Sequence, residues 1–118
     1  MKTVDEWKQL LRDGIRSARL ARRADDVTVL QETLAAIDNA EAPPAVTARL
    51  SDGVIAGSVE GVGATEVMRR VLSPSEVAAL VEHEIADRRT TAASYTSHGR
   101  TDEAARLLAQ ADVLARLL

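Results

Sequence analysis

A chain of 118 residues, 46% apolar and 28% charged, has room for one folded domain and has the composition of neither a disordered tail nor a membrane protein. Cysteine is absent, which removes disulfides, zinc thiolates, iron–sulfur ligation and any cysteine nucleophile. The net charge of −3 and the aromatic content of 2% (Trp7, Tyr95, no Phe) argue against a wholly basic nucleic-acid binder and against a platform on which bases stack.

The first element opens with Thr3, and Glu6 follows three residues later, a capping-box spacing. Val4, Trp7, Leu10, Leu11, Ile15, Ala18 and Ala21 recur at helical spacing and predict an amphipathic helix of about 20 residues. Gly14 inside it marks either a close helix–helix contact or a plain surface position. Asp25 or Asp26 is the expected cap of a second helix, with Val29, Leu30, Thr33, Leu34 and Ile37 as its buried stripe. The short junction at Arg23-Ala24-Asp25 predicts an antiparallel pairing of the two helices, and Pro43-Pro44 ends the second.

Residues 43–72 hold four of the six glycines, interleaved with Val54, Ile55, Val59 and Val62. No two-residue turn flanked by clean alternation supports a strand pair here, so the stretch reads as an extended loop with a short helical turn near Thr65–Arg70. Ser73-Pro74-Ser75-Glu76 is a second capping box, with proline at the first helical position. The third helix carries Val77, Leu80, Val81, Ile85, Ala92 and Tyr95 and is expected to end near His98, with Gly99 in the left-handed conformation. Thr101 is the expected cap of a fourth helix bearing Ala104, Leu107, Leu108, Ala111, Leu114, Leu117 and Leu118. The expected fold is therefore all-α. Two helical hairpins, residues 3–42 and 73–118, are joined by the glycine-rich loop.

Catalytic patterns are weak. Ser94 and His98 are one helical turn apart, with Asp102 close behind, but a serine in mid-helix lacks an oxyanion hole. His83 and His98 lie fifteen residues apart on one helix, roughly 22 Å, too far to share a metal ion. His83 and Asp87 form an ordinary i, i+4 pair. Gly61-Val62-Gly63 lacks the third glycine and the lysine of phosphate-binding loops. No catalytic set, metal site or cofactor is predicted. The N-terminus is interrupted by Asp5, Glu6 and Lys8, so no secretory segment is expected. No apolar run reaches membrane-spanning length, and the expected location is the cytoplasm.

Charge is unevenly distributed. Residues 2–23 carry +4 and the remainder −7. Arg12, Arg16, Arg19 and Arg23 follow i, i+4, i+7 and i+11, one stripe opposite Trp7, Leu10 and Ala18. Such a stripe is either a solvated helix face or a track for phosphates, with Arg88 and Arg89 as further phosphate contacts. A competing reading is a protein-interaction module. Leu107, Leu114, Leu117 and Leu118 run to the end of the chain and would offer an apolar stripe to a partner or to a second copy.

Ala36-Ile37-Asp38-Asn39-Ala40-Glu41 resembles the AI-x-NAE segment of the GatB/YqeY family. Arg88-Arg89, then Tyr95, then Gly99-Arg100 resembles that family's basic pair, aromatic and hairpin turn. Glu103-Ala104 through Ala111-Asp112-Val113-Leu114 and Leu117 is similar to the family's next helix, and Gly61 through Val67 before Ser73-Pro74 to a short branch of the family. The resemblance covers residues 8–118 apart from the loop after Pro43. It implies an all-helical fold and the label of a glutamine-dependent carbon–nitrogen ligase, with glutamine as amido donor. The family joins stand-alone YqeY-like proteins to the tail of the GatB component of the aspartyl/glutamyl-tRNA amidotransferase. That tail helps to hold tRNA while catalysis lies elsewhere. The resemblance thus implies a non-catalytic role, with tRNA or amidotransferase and translation components as partners. The 118 residues correspond to one helical domain, without the second small bundle of longer members.

Overall fold

The computed structural model describes residues 1–42 and 69–118. Within them the chain forms four α-helices: α1 (Val4–Leu20), α2 (Ala24–Glu41), α3 (Pro74–Ser97) and α4 (Thr101–Ala115). No strand occurs among the described residues. The glycine-rich loop expected over 43–72, its short helical turn and the Gly61–Gly63 motif lie outside the described residues, except for positions 69–72. There Arg70 N–H donates to the Glu41 carbonyl at 2.8 Å, and Leu72 is buried at the entry to α3.

Both predicted capping boxes form. Glu6 N–H donates to Thr3 Oγ1 (3.1 Å) while Thr3 N–H donates to Glu6 Oε1 (2.8 Å). Ser73 and Glu76 repeat the arrangement with the same distances. The backbone N–H of each cap residue holds its glutamate carboxyl below the ordinary value of 4.5. Ser73→Ala is expected to lower stability by about 1 kcal/mol. Because the Glu76 carboxyl titrates lower in the folded chain than in the unfolded one, its share of the box is complete above pH 4.5 and is lost as the pH falls through the folded-state value. The difference between wild type and Glu76→Gln, followed by urea denaturation, should therefore shrink on acidification. A difference that stays constant from neutral pH down to pH ~3 would rule out that coupling.

The two hairpin turns are built alike. After α1, Arg23 N–H donates to the Ala18 carbonyl (2.9 Å) and Arg22 N–H to Arg19 (3.1 Å). After α3, Arg100 N–H donates to Tyr95 (2.8 Å) and Gly99 N–H to Thr96 (3.0 Å). Both are Schellman motifs that satisfy the last carbonyls of one helix, and their final residue, Arg23 or Arg100, begins the next. Gly99 takes the left-handed position (φ 76°) as expected, but in the first turn that position is held by Arg22 (φ 60°). The caps expected at Asp25 or Asp26 and at Thr101 are corrected by this geometry. Those residues already lie inside α2 and α4, because the turns consume fewer residues than a separate cap requires.

α2 and α3 each pack against all three other helices, with α1 and α4 set against both. Val29, Leu30, Thr33 and Ile37 face inward as predicted, whereas Leu34, expected in the same stripe, is only half-buried; Thr33 meets its own hydrogen-bond need by donating to the Val29 carbonyl (2.8 Å). Leu11, Val77, Val81 and Leu114 complete a core of aliphatic side chains. Gly14 marks a close helix contact. A Cβ there would stand 3.1 Å from Leu30 Cδ1, so glycine lets α1 approach α2. Trp7 is buried under Lys2, whose Nζ lies 5.0 Å from the ring centroid and donates to the Leu117 carbonyl (2.9 Å). One cation thus covers the ring and satisfies a carbonyl just beyond α4.

Candidate nucleic-acid interface

The predicted arginine stripe survives for three of its four members. Arg12, Arg16 and Arg19 stand along one side of a groove of about 550 Å³ between α1 and α2. At 1.5 Å rise per residue they are spaced by about 6 and 4.5 Å along the helix axis. Ile15, Leu34 and Ala35 form the apolar floor, Leu20 the exposed end, and Gln31 and Asp38 the opposite side. Arg16 lies 3.5 Å from Asp13, one turn back. The carboxylate of Asp38 is 3.4 Å from Lys8 Nζ, which also donates to Glu41 at 2.6 Å. The Glu41 contact raises the Lys8 ammonium above its ordinary value, so Lys8 stays charged and offsets the acid on that side of the groove. Among the described residues, Arg12 and Arg19 form no ion pair with a carboxylate. The chemistry on offer is a row of exposed guanidinium groups suited to phosphate oxygens.

Arg23 does not belong to that row. α1 ends at Leu20, and the left-handed Arg22 redirects the chain before the i+11 position is reached. Arg23 instead lines a second groove of about 270 Å³ on the other side of α1, with Gly14, Ser17, Ala21 and, just past the end of α4, Arg116. Arg116 carries no signal in the sequence, because only the tertiary fold brings the residue after α4 to this groove.

Arg88 is also corrected. It is 8% exposed and points inward from α3. Its guanidinium pairs with Glu32 of α2 and with Glu84 (3.0 Å), and its Nε donates to Gln110 Oε1 (3.4 Å) on α4. Gln110 donates in turn to the Asp25 carbonyl (3.3 Å). Every donor group of Arg88 that could reach a phosphate is thereby engaged inside the bundle. Arg89 remains exposed, 3.9 Å from Asp112, on a groove between α3 and α4 remote from the α1 row.

The C-terminal leucines do not form one stripe. Leu114 is fully buried in the core, whereas Leu118 is 54% exposed and Leu107 and Leu117 are half-buried. Leu117 borders the groove that holds Arg23, and Leu118 borders the groove that holds Arg89, so the two diverge.

The Ser94–His98 pair meets through the backbone. His98 Nδ1 lies 2.8 Å from the Ser94 carbonyl oxygen, an arrangement that ends a helix and activates no hydroxyl. His83 Nε2 and Asp87 Oδ2 are 3.2 Å apart on an exposed face. Among the described residues, no three His, Asp or Glu side chains gather as a metal site. No described helix is long and apolar enough to cross a membrane.

No family model, curated protein or solved structure matches this chain.

Proposed function

We propose that the chain is a non-catalytic, YqeY-like helical module of the cytoplasm, linked to glutamine-dependent tRNA amidation. Its α1 arginine row holds the phosphate backbone of tRNA. The observation that carries this reading is the row itself: Arg12, Arg16 and Arg19 stand exposed on one helix face and line one groove. The resemblance of the α2 and α3–α4 segments to the GatB/YqeY family supplies the ligand class. It also supplies the carbon–nitrogen ligase label, which belongs here to the complex served rather than to chemistry by this chain. A phosphate row of this kind binds without regard to base sequence and weakens steeply with salt.

Filter binding of tRNA at two salt concentrations tests the proposal. The wild-type chain should retain tRNA at low salt. The triple variant R12Q/R16Q/R19Q should bind more weakly and have a salt slope smaller by about 3. Failure of the wild-type chain to retain any tRNA at low salt would remove the reading.

A second reading, a protein-interaction surface or homo-oligomer, is favoured by exposed leucine at the C-terminal end. Leu108 is 45% and Leu118 54% exposed. Leu107 and Leu117 contribute only partly to such a surface, and Leu114 is enclosed in the core.

A further inference from the structure

Between its two grooves α1 stands as a ridge. One flank carries Arg12, Arg16 and Arg19, and the groove on the other side holds Arg23, in the turn after α1, with Arg116, just past the end of α4. The α1 residues that line the two grooves, 12, 16 and 19 against 14, 17 and 21, fall on opposite sides of the helix. Arg22 sits at the turn that ends the ridge. Its backbone (φ 60°) occupies the region that favours glycine, and the matching position of the other hairpin is Gly99 (φ 76°). The chain thus keeps a positive charge at the end of the ridge against the local backbone preference. The acids around the ridge are outnumbered by the five arginines of its two grooves: Asp13 of α1 lies 3.5 Å from Arg16, Asp26 of α2 lies 4.0 Å from Arg23, and Asp38 of α2 lines the first groove.

A single strand presents one row of phosphates and can follow only one flank. Single-strand binders also draw affinity from bases stacked on exposed rings. Neither ring of this chain serves that purpose: Trp7 is buried beneath Lys2, and Tyr95 lies on α3 against Arg100. A double helix presents two rows of phosphates at once. Building on the reading of the α1 arginines as phosphate contacts, we propose that α1 straddles a double-helical segment of RNA, with the Arg12–Arg16–Arg19 flank on one strand and the Arg23–Arg116 flank on the other.

Fluorescence anisotropy across a salt series, with a labelled RNA hairpin stem and an unstructured single strand of equal charge, tests this on the full chain. With contacts on both flanks the stem should give a slope near −5. The single strand, held on one flank, should give a slope near −2. The variant R23Q/R116Q should lower the magnitude of the stem slope by about 2 and leave single-strand binding unchanged. Arg22→Gly should weaken stem binding while melting at or above the wild-type temperature, since glycine relieves the turn. Far-UV circular dichroism identifies any variant that has failed to fold. Stem binding that R23Q/R116Q leaves unchanged, or equal slopes for stem and single strand, would overturn the straddling geometry while the phosphate reading stood. Absence of binding to either RNA would overturn both.

Discussion

Arg88→Ala is expected to lower the stability of the chain by about 3 kcal/mol, measured as a shift of the urea midpoint at constant slope. Arg88 is only 8% exposed, and it touches charged or polar partners on α2, α3 and α4 together. Truncation removes the guanidinium and leaves a void. It also strands the Gln110 carboxamide oxygen, whose residue is 6% exposed, and deprives Glu84 of its partner. Glu32 is 59% exposed at its side chain and can turn to water, which places the loss at the lower end of what breaking a buried ion pair costs. Arg88→Met fills much of the volume but leaves Gln110 unsatisfied, and about 2 kcal/mol should be lost. Arg88→Lys keeps the charge, yet one ammonium cannot fork towards Glu32 and Glu84 while also reaching Gln110, so it should fall between the other variants and wild type. A midpoint for Arg88→Ala equal to wild type would mean that the pairs contribute nothing net.

The same residue marks the limit of what the sequence discloses. Val77, Val81, Ile85 and Ala92 announce the inward face of α3, and Arg88 falls in their register, three residues after Ile85 and four before Ala92. The position is therefore legible as inward, but its charge invites a surface reading. Only the arrival of Glu32 and Gln110 from other helices makes burial of that charge tolerable. Local chemistry is legible where it depends on neighbours in the chain. The two capping boxes, proline at the start of α3 and glycine after its end all act within a few residues. The first hairpin turn is legible as a short junction near Arg23, but its left-handed geometry escapes because arginine holds a position whose usual sign is glycine. With it goes the break that removes Arg23 from the stripe. The three-member row is readable from helical spacing alone. The opposing flank at Arg23 and Arg116 is not, because it is assembled from two segments far apart in sequence.

Leu114→Ala and Leu118→Ala are expected to separate sharply, by about 3 kcal/mol for the first and no more than about 0.5 kcal/mol for the second. Four residues apart at the end of α4, both leucines look equivalent in sequence. Leu114 is completely enclosed and belongs to the same cluster as Leu11, Ile37 and Val81, so its truncation opens a cavity where all four helices contribute to packing. Leu118 is 54% exposed, and truncation takes little surface from the folded chain. The contrast also bears on the second functional reading. A loss of association in Leu114→Ala would report unfolding, since that side chain has no exposed surface with which to meet a partner. Only Leu118→Ala, with its fold intact, can report an interface. Light scattering on Leu118→Ala, beside urea denaturation of both variants, makes the distinction. A change of mass without a change of midpoint would place the contact at the Leu118 side of α4, next to Ile85 and Ala86. Equal destabilisation by the two substitutions would contradict the packing of α4.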